Sequence, residues 1–559
     1  MPGCLSDNWV AAVLTFATLD LMPDENAKLE NASTADKAQA RSELQEYLEV
    51  RQEQHGLFPR AALVGLCAGS VAVLFRFLLA AADDLRNGII QWSSAAPLWG
   101  WIAPVLFTAT GATLALMLVR EYAPETSGSG IPHLKAVLHR VRELAWVRVL
   151  AVKLIGGVLS IGTGLALGRE GPTVQMGGAV GDGISRWLKV STSDRLILTA
   201  AGAGAGLTAA FNAPLSGLVF VLEEIQRDFR PAVFGAAFLA AAAADVVARL
   251  ASGQLPVFNV PAYPLPPLGA LPIFAILGCV AGVLGVFFNR TLIVMLNWVS
   301  GFKEESRWTV AAVVGGVTGL IAWFDPLIVG GGHGLAEKVL VGKIVFISIP
   351  ILFLIRFGLT TTAYATGVAG GIFSPLLVLG SLVGLAIGDV GHRFVPSLAP
   401  EPGVFAVVGM AAYFTAIVRA PLTGIVLIIE MTGNYAQMLP LLISCFCAYA
   451  VAEYLKDLPI YEALLERDLE RGNLRVSQHE PIVTEFEVEP GAPFAGRQVR
   501  DLGLPAGCVL VRSYADGREW VPTANTFLEV GMRITAVITP DASDALMILR
   551  RGCQSKVES

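Results

Sequence analysis

Charged residues are scarce in this chain of 559 amino acids. Only 15% of its residues are Asp, Glu, Lys or Arg, whereas a soluble globular protein carries about a quarter. Hydrophobic residues make up 54% of the chain, and the mean hydropathy is +0.61. This composition excludes a soluble globular protein for most of the length and indicates a protein that crosses a membrane several times.

Several kinds of functional group are also missing. The sequence has no basic run with interleaved aromatic residues, so we expect no nucleic-acid partner. The seven cysteines have no CxxC spacing, and most lie in apolar runs, which favours small buried side chains over metal ligands. The six histidines are scattered, and no Ser/His or metal-ligand constellation lies within the apolar spans. These absences argue against an intramembrane enzyme and against a metal or other cofactor.

Apolar stretches long enough to cross the hydrocarbon of a bilayer recur along the chain. Six of them are Ala61–Ala81, Trp101–Val119, Val149–Leu167, Pro231–Ala251, Phe274–Val299 and Ile344–Thr362. Others are shorter or interrupted by glycine, namely Gly171–Ile184, Leu198–Leu222, Gly371–Ile387 and Gly403–Met431. Interrupted helices leave backbone groups unpaired unless they line protein or a water-filled path. The pattern predicts an all-α integral membrane protein with broken helices.

Two distant segments have nearly the same sequence. Residues 208–223 (TAAFNAPLSGLVFVLE) match residues 415–430 (TAIVRAPLTGIVLIIE). A proline and two glycines ahead of each segment also recur, as Pro172, Gly177 and Gly181 and then as Pro375, Gly380 and Gly384. A hydrophobic chain of two related halves, with Gly and Pro breaks at corresponding places, is typical of a membrane transporter. We expect its substrate site where the broken helices of the two halves meet.

Three glycine-rich breaks end in proline and open a helix: Gly128–Pro132 (GSGIP), Gly168–Pro172 (GREGP) and Gly371–Pro375 (GIFSP). Each places unpaired N–H groups and the positive end of a helix dipole inside the membrane body. One helix end contributes only about 0.3–2 kcal/mol. Burying an anion costs far more, so several helix ends must converge, helped by hydroxyl donors. The predicted substrate is therefore an anion, held by uncharged donors that can release it.

The order and spacing of these motifs, with the duplicated Ala-Pro-Leu-Ser/Thr-Gly segments, resemble the CLC family of chloride channels and chloride/proton antiporters. The resemblance covers Arg60–Glu470. It implies a CLC transmembrane domain at 60–472, with two inverted-topology repeats at about 60–254 and 268–455 and broken or re-entrant helices, then an inner helix at 459–471. It also implies a homodimer in the lipid bilayer of a bacterial-type inner (plasma) membrane, with both termini cytoplasmic and an anion path in each subunit.

The resemblance also assigns the chloride-binding residues, which would be Ser129, Gly130, Arg169, Gly171, Ile372, Phe373 and Tyr461. The Ser129 hydroxyl would donate to a central chloride, together with the backbone amides of Ile372 and Phe373 and the hydroxyl of Tyr461. Arg169 would attract entering anions. In having serine at position 129, the chain resembles the chloride-preferring members of the family. No cofactor is implied beyond the transported chloride and protons.

Two glutamates would transfer protons. Glu170 resembles the family's gating glutamate: ionised, it competes with chloride at a helix N-terminus, and protonated, it swings away. The alternative is a carboxylate that only caps its helix. Glu224 ends the apolar run Phe220–Glu224, where an ionisable residue is costly and functional by default. Antiporters of the family carry an acid there and channels usually an apolar residue, which would make Glu224 the internal proton acceptor. The alternative is an interfacial acid at a helix end.

Other charged residues lie near these sites in the sequence. His133 and Lys135 stand where relatives have an acid, and with Lys153 they would alter the field near the anion path. Glu223 would assist its neighbour or only face water. Glu430, the counterpart in the second half, is predicted to be structural.

The composition changes at Asn473, and residues 473–559 predict a cytosolic domain, a small α/β (α+β) unit. We predict strands at Val483–Val488, Cys508–Ser513 and Ile534–Ile538, a short helix at Arg497–Leu502 and a hairpin turn at Asp516-Gly517.

Two motifs in this tail, Glu489–Gly496 and Phe527–Gly531, resemble the TrkA-C (RCK C-terminal) regulatory module of potassium channels and transporters. Met532 departs from the aspartate that is usual there. The resemblance implies a small-molecule ligand of the domain or dimerisation, and the alternative is a solvated cap without a ligand.

The resemblance to the CLC family implies that residues 1–59 are a cytoplasmic N-terminal segment, and the charged stretch Met22–Pro59 predicts a helix on the membrane surface. Met1–Leu21 lacks the basic flank and cleavage site of a signal peptide, and either Met1 or Met22 is the natural start.

Together the motifs and the two glutamates favour chloride/proton antiport. A passive voltage- or proton-gated chloride channel of the same fold is the alternative, and a ligand-sensing membrane protein acting through its C-terminal domain is a third, less favoured one.

Overall fold

The computed structural model describes residues 34–96, 98–258, 260–261, 263–471, 482–515, 518–539, 542 and 544–554. The two possible start residues, Met1 and Met22, and the predicted turn at Asp516-Gly517 lie outside the described residues.

The described residues from 34 to 454 form sixteen α-helices, which fall into two sets of eight. The first set is α1 (Thr34–Ser93), α2 (Ile102–Tyr122), α3 (Ile131–Leu138), α4 (Trp146–Gly157), α5 (Glu170–Trp187), α6 (Thr192–Phe211), α7 (Pro214–Phe220) and α8 (Pro231–Ser252). The second is α9 (Leu271–Ser300), α10 (Glu304–Phe324), α11 (His333–Leu340), α12 (Ile349–Ala365), α13 (Phe373–Phe394), α14 (Pro402–Val418), α15 (Pro421–Thr432) and α16 (Met438–Tyr454). A last helix, α17 (Ile460–Arg471), follows the second set.

Eight helical segments within the described residues are long and apolar enough to cross a membrane. They are Gly56–Ser93, Ile102–Tyr122, Pro231–Ser252, Leu268–Ser300, Glu304–Phe324, Phe346–Ala365, Phe373–Phe394 and Tyr435–Tyr454. The chain is therefore a multi-pass integral membrane protein, as its composition predicts. Five of the six predicted spans correspond to these segments. The sixth, Val149–Leu167, does not, because α4 is twelve residues long and passes into a π-helical turn at Val158–Gly162.

The first helix is longer than the sequence predicts. A surface helix ending at Pro59 is expected, but α1 runs from Thr34 to Ser93 with Pro59 inside it. Proline removes one backbone hydrogen bond from a helix without necessarily ending it. The location of its first part on the membrane surface stays a prediction.

The recurring glycines of the two halves lie where consecutive helices touch. A Cβ atom on Gly177 of α5 would lie 2.1 Å from the carbonyl oxygen of Gly202 in α6. In the second half, a Cβ atom on Gly380 of α13 would lie 2.5 Å from the carbonyl oxygen of Gly409 in α14. Small residues let transmembrane helices approach backbone to backbone. The sequence repeat is thus a repeat of helix packing.

The tail is a separate unit with its own hydrophobic core. Strands β1 (Ile482–Glu487), β2 (Cys508–Ala515), β3 (Arg518–Trp520) and β4 (Arg533–Ile538) form an antiparallel sheet in the order β1-β4-β2-β3, and α18 (Asp544–Cys553) follows. The three predicted strands are present. The predicted helix at Arg497–Leu502 is only a 3-10 turn at Val499–Asp501, while β3 and α18 are additions to the prediction. Leu528, Ile534 and Leu549 are among the buried core residues.

Candidate functional site

Backbone hydrogen bonds join the three glycine-rich motifs. Gly168 and Gly371 donate to each other's carbonyl oxygens, both at 2.7 Å. Gly128 donates to the carbonyl of Val368 at 3.0 Å and accepts from Gly370 at 3.0 Å. The first and second motifs of one half are thereby fixed to the third motif of the other half. The starts of α3, α5 and α13 converge as a result.

Glycine makes this convergence sterically possible. A Cβ atom on Gly171 would lie 2.8 Å from the Cβ of Ser129, and one on Gly371 would lie 3.1 Å from the amide nitrogen of Gly171. Gly130, with φ of 79°, turns the chain into α3 in a conformation that favours glycine. The absence of side chains at these glycines therefore lets the backbones of the three motifs pack against one another at the starts of α3, α5 and α13.

Ser129 is fully buried, and its polar contacts are long. Its amide donates to the Tyr364 hydroxyl at 3.3 Å, and that hydroxyl lies 3.5 Å from Ser129 Oγ. The amide of Ile131 approaches Ser129 Oγ at 3.4 Å. Such weak contacts leave the serine hydroxyl available to a ligand.

Tyr461, at the start of α17, is also fully buried, and its hydroxyl has no hydrogen-bond partner within the described residues. Leaving a buried hydroxyl unsatisfied costs about 1–3 kcal/mol. A bound anion would satisfy it.

Glu170 is completely buried, with its carboxylate at the N-terminus of α13. Its Oε1 accepts a hydrogen bond from Ser374 Oγ at 2.5 Å, and its Oε2 accepts from the Ser374 amide at 3.3 Å. Ile372 and Phe373, whose amides are the predicted chloride donors, immediately precede Ser374 in the same turn. The carboxylate therefore caps a helix of the opposite half rather than its own helix α5.

Two basic side chains lie close to the motifs. Arg169 donates to the carbonyl of Ala210 at 3.1 Å, and its Nε lies 3.7 Å from Glu170 Oε1. Lys153 is fully buried and donates to the carbonyl oxygens of Thr126 and Gly128 at 2.8 and 2.7 Å. Lys153 thus holds the first motif in place.

A cavity of about 390 Å³ adjoins the first motif. It is lined by Pro124, Glu125, Ser127, Gly128, Gly130, Pro132, His133, Arg142, Leu296, Tyr364, Leu464, Arg467 and Asp468. The lining combines backbone of the first motif with charged side chains from several elements. The cavity therefore lies against Gly128 and Gly130, the two residues that flank Ser129.

Glu224 lies in a buried ionic cluster on the π-helical turn Val221–Ile225. The Lys135 ammonium lies 2.7 Å from Glu224 Oε1 and 2.7 Å from Glu462 Oε1. Arg227 also pairs with Glu462, and its Nη2 lies 3.8 Å from Glu224 Oε2. We call these four residues the Lys135 cluster. Only 1% of the Glu224 side chain is exposed, so it has little direct contact with solvent.

Glu223 points to a different place from Glu224. Its carboxylate accepts from the amides of Leu422 and Thr423 at 3.0 and 2.7 Å, at the start of α15. Glu430 does the same at the start of α7, where it accepts from the amides of Leu215 and Ser216 at 3.0 and 2.8 Å. Both carboxylates therefore cap helices.

Aromatic side chains connect the surroundings of the two buried glutamates. The ring of Phe373, next to Ser374, lies 4.5 Å from Phe414 and 6.3 Å from Phe220, measured between centroids. Phe220 directly precedes the turn that carries Glu224. A series of aromatic contacts therefore runs from the residue before Ser374 to the residue before the turn that carries Glu224.

The structure adds residues that the sequence interpretation missed. Ser374 lies inside the third motif, and its hydroxyl could have been noticed there. Tyr364 and Glu462 carry no motif signal of their own. A fourth glycine-rich break at Gly330–Gly332 was missed because it lacks proline: Gly332, with φ of 80°, precedes the eight-residue α11, as Gly130 precedes the eight-residue α3.

Comparison with known proteins agrees with this geometry. Residues 111–453 match the family model described as "Voltage gated chloride channel", and residues 483–549 match the TrkA-C domain. The chain is 41% identical over 421 residues to the H(+)/Cl(-) exchange transporter ClcA of Vibrio parahaemolyticus, covering 74% of this chain and 90% of that protein. It is 40% identical over 419 residues to the protein of the same name from Vibrio cholerae, with the same coverage.

A solved structure supports the same assignment. The X-ray structure of a slow cyanobacterial Cl-/H+ antiporter superimposes with a TM-score of 0.72 at 37% identity, covering 75% of this chain and 99% of that one. The predicted fold of two inverted repeats is thereby confirmed. With matches of this length and identity, the chain belongs to the voltage-gated chloride channel family, the CLC family, and carries a TrkA-C domain in its tail.

Proposed function

We propose that this protein is a secondary-active transporter that exchanges chloride for protons. The observation that carries the proposal is the position of the Glu170 carboxylate at the N-terminus of α13, held by the amide and hydroxyl of Ser374. A site that binds a carboxylate through uncharged donors and a helix dipole also suits chloride. The relatives of high identity are exchange transporters by name.

Competition at this site links chloride to protons. Ionised Glu170 occupies the end of α13 and opposes chloride there. When Glu170 is protonated, it loses its charge, its attraction to the helix end weakens, and chloride can replace it. The amides of Ile372 and Phe373 and the hydroxyls of Ser129 and Tyr461 would hold chloride, with Gly130 and Gly171 allowing the close approach. Arg169 would raise the local anion concentration.

Glu224 is the proposed second proton carrier. Burying a carboxylate is costly, and Glu224 is kept buried in the Lys135 cluster at the far end of the Phe220–Phe373–Phe414 aromatic contacts. A passive chloride channel has no need of such an acid. Its presence supports exchange over the channel alternative.

The proposed setting is a homodimer in a bacterial-type inner membrane, with both termini in the cytoplasm. We further propose the domain boundaries 1–59, 60–472 and 473–559, and no cofactor for transport.

For the tail we propose a small-molecule ligand. A pocket on the open face of its sheet is lined by Glu485, Arg512, Tyr514, Arg533 and Thr535. Its lining offers guanidinium and hydroxyl donors to a ligand, and carboxylates pair with both guanidinium groups: Glu485 and Glu519 with Arg512, and Glu487 with Arg533.

Proton movement driven by chloride alone tests the proposal. Purified protein in liposomes, given an outward chloride gradient and no pH gradient, is expected to move protons against their electrochemical gradient. Glu224→Ala should stop proton movement while chloride still flows. If wild-type protein moves chloride and no protons, the exchange mechanism is wrong and a passive channel is the better description.

A further inference from the structure

Glu462 connects the buried Glu224 to solvent. The two carboxylates share one ammonium group, because Lys135 Nζ lies 2.7 Å from Oε1 of each. The Glu224 side chain is 1% exposed, whereas that of Glu462 is 25% exposed. Glu462 is therefore the more exposed of the two carboxylates that contact Lys135.

Two basic side chains from neighbouring elements face Glu462. Lys135 of α3 and Arg227, which follows the turn Val221–Ile225, both pair with its Oε1. Its Oε2 has no hydrogen-bond partner within the described residues. The cluster holds two cations and two carboxylates and is neutral when both acids are ionised. An acceptor oxygen without a partner in a charge-balanced cluster is a suitable place for one added proton.

We propose that Glu462 takes up protons from the water on its side of the membrane and passes them to Glu224 through Lys135. The proposal rests on the proposed exchange function. Lys135 is a suitable relay because a lysine ammonium can give up a proton in a buried site. Tyr461, the proposed chloride ligand, directly precedes Glu462, so the proton entry would lie beside the chloride site.

The proton passes from Glu462 to Glu224 in three steps. Water-borne protons convert the Glu462 carboxylate to the acid. The Lys135 ammonium gives the proton of its 2.7 Å hydrogen bond to Glu224. The neutral amine then takes the proton from Glu462 across the second 2.7 Å contact. The net result is an ionised Glu462, an unchanged ammonium and a protonated Glu224.

A purely structural role makes different predictions, and two variants separate them. Glu462→Gln keeps the size and one oxygen acceptor but cannot carry a proton. Lys135→Arg keeps the positive charge and can bridge both carboxylates, but its guanidinium does not release a proton. Glu466→Gln removes an exposed acid on the same helix α17 outside the cluster and is the matched control.

The experiment records chloride and proton flux together from liposomes, with the unfolding temperature of each variant as a second readout. Both Glu462→Gln and Lys135→Arg should lower proton flux by about tenfold or more, as expected for loss of a proton-transfer group. Chloride flux and the unfolding temperature should change little. Glu466→Gln should behave as wild type, and Glu462→Asp should retain more proton flux than Glu462→Gln.

Several results would overturn the inference. One is a ratio of proton to chloride flux equal to that of wild type in either Glu462→Gln or Lys135→Arg. Lys135→Arg is informative here because it keeps the positive charge. Another is an equal fall of both fluxes together with a lower unfolding temperature, because that pattern marks a structural role. If wild-type protein exchanges chloride for protons and both variants have the same flux ratio as wild type, only the proposed relay is wrong. A wild type that moves no protons overturns the proposed function and the relay together.

Discussion

Glu223 and Glu430 occupy matching positions in the two halves, and each caps a helix of the other half. Glu223 accepts from the first amides and the hydroxyl of Thr423 in α15, and Glu430 accepts from the first amides and the hydroxyl of Ser216 in α7. These reciprocal caps join the two duplicated Ala-Pro-Leu segments. They also place Glu223 in a different environment from its neighbour Glu224, which contacts Lys135.

Removing either cap should destabilise the protein. Glu223→Ala and Glu430→Ala are each expected to lower the free energy of unfolding by about 1–2 kcal/mol, as for other N-cap losses. Proton coupling should survive in Glu223→Ala, in contrast to Glu224→Ala. Thermal unfolding in detergent measures the effect, with the exposed Glu466→Ala as control. Unfolding temperatures equal to that of the control would show that the caps contribute nothing.

Ser374 should determine how tightly Glu170 holds its position. A hydrogen bond to a charged group contributes about 1.5–3 kcal/mol. Ser374→Ala removes the 2.5 Å contact to Glu170 Oε1, so the carboxylate becomes a weaker competitor. We expect the apparent chloride affinity at neutral pH to rise by roughly tenfold, since 1.4 kcal/mol corresponds to that factor.

Isothermal titration with chloride checks this prediction. Ser381→Ala is the matched control, because Ser381 is buried on the same helix and its hydroxyl donates locally to Val378. An unchanged or lower chloride affinity in Ser374→Ala would mean that Ser374 does not hold Glu170 against chloride.

Tyr461→Phe should weaken chloride binding without destabilising the fold. The Tyr461 hydroxyl has no partner within the described residues, so its removal breaks no protein hydrogen bond. Losing one donor to the anion is expected to lower affinity by about three- to tenfold, from a net contribution near 0.5–1.5 kcal/mol. Chloride titration and thermal unfolding measure the two effects.

Tyr413→Phe provides the control for that substitution. Tyr413 is also fully buried, its hydroxyl has no hydrogen-bond partner in the described part of the chain, and its ring packs near Phe288 and Phe353. Its chloride affinity should equal that of wild type. Equal effects of the two substitutions, or none in Tyr461→Phe, would contradict a chloride-binding role for Tyr461.

The motifs and the repeat could be predicted from the sequence because their chemistry is local. Glycine and proline at Gly168–Pro172 and Gly371–Pro375 favour a helix start through their own backbone preferences, which do not depend on distant residues. The fold class could be predicted from the same glycine and proline breaks and from the hydropathy of the helices. The missing proline at Gly330–Gly332 shows the limit of this approach, since that break depends on two left-handed glycines, Gly330 and Gly332.

Contacts between distant residues could not be predicted in the same way. Lys135 and Glu224 are 89 residues apart, and Lys135 and Glu462 are 327 apart. Their pairing depends on how α3, the turn after α7 and α17 pack, which no local pattern encodes. The same holds for the contact of Glu170 with Ser374 across the two halves, although each residue lies in a recognised motif.

The reversal potential of the current tests the central claim most directly. Protein is reconstituted in a planar bilayer with a fixed chloride gradient, and the pH difference across the bilayer is varied. If one acid exchanges places with chloride, the reversal potential must shift with the pH difference at constant chloride, and Glu170→Gln must abolish that shift. A wild-type reversal potential that follows the chloride gradient alone at every pH difference would contradict the account.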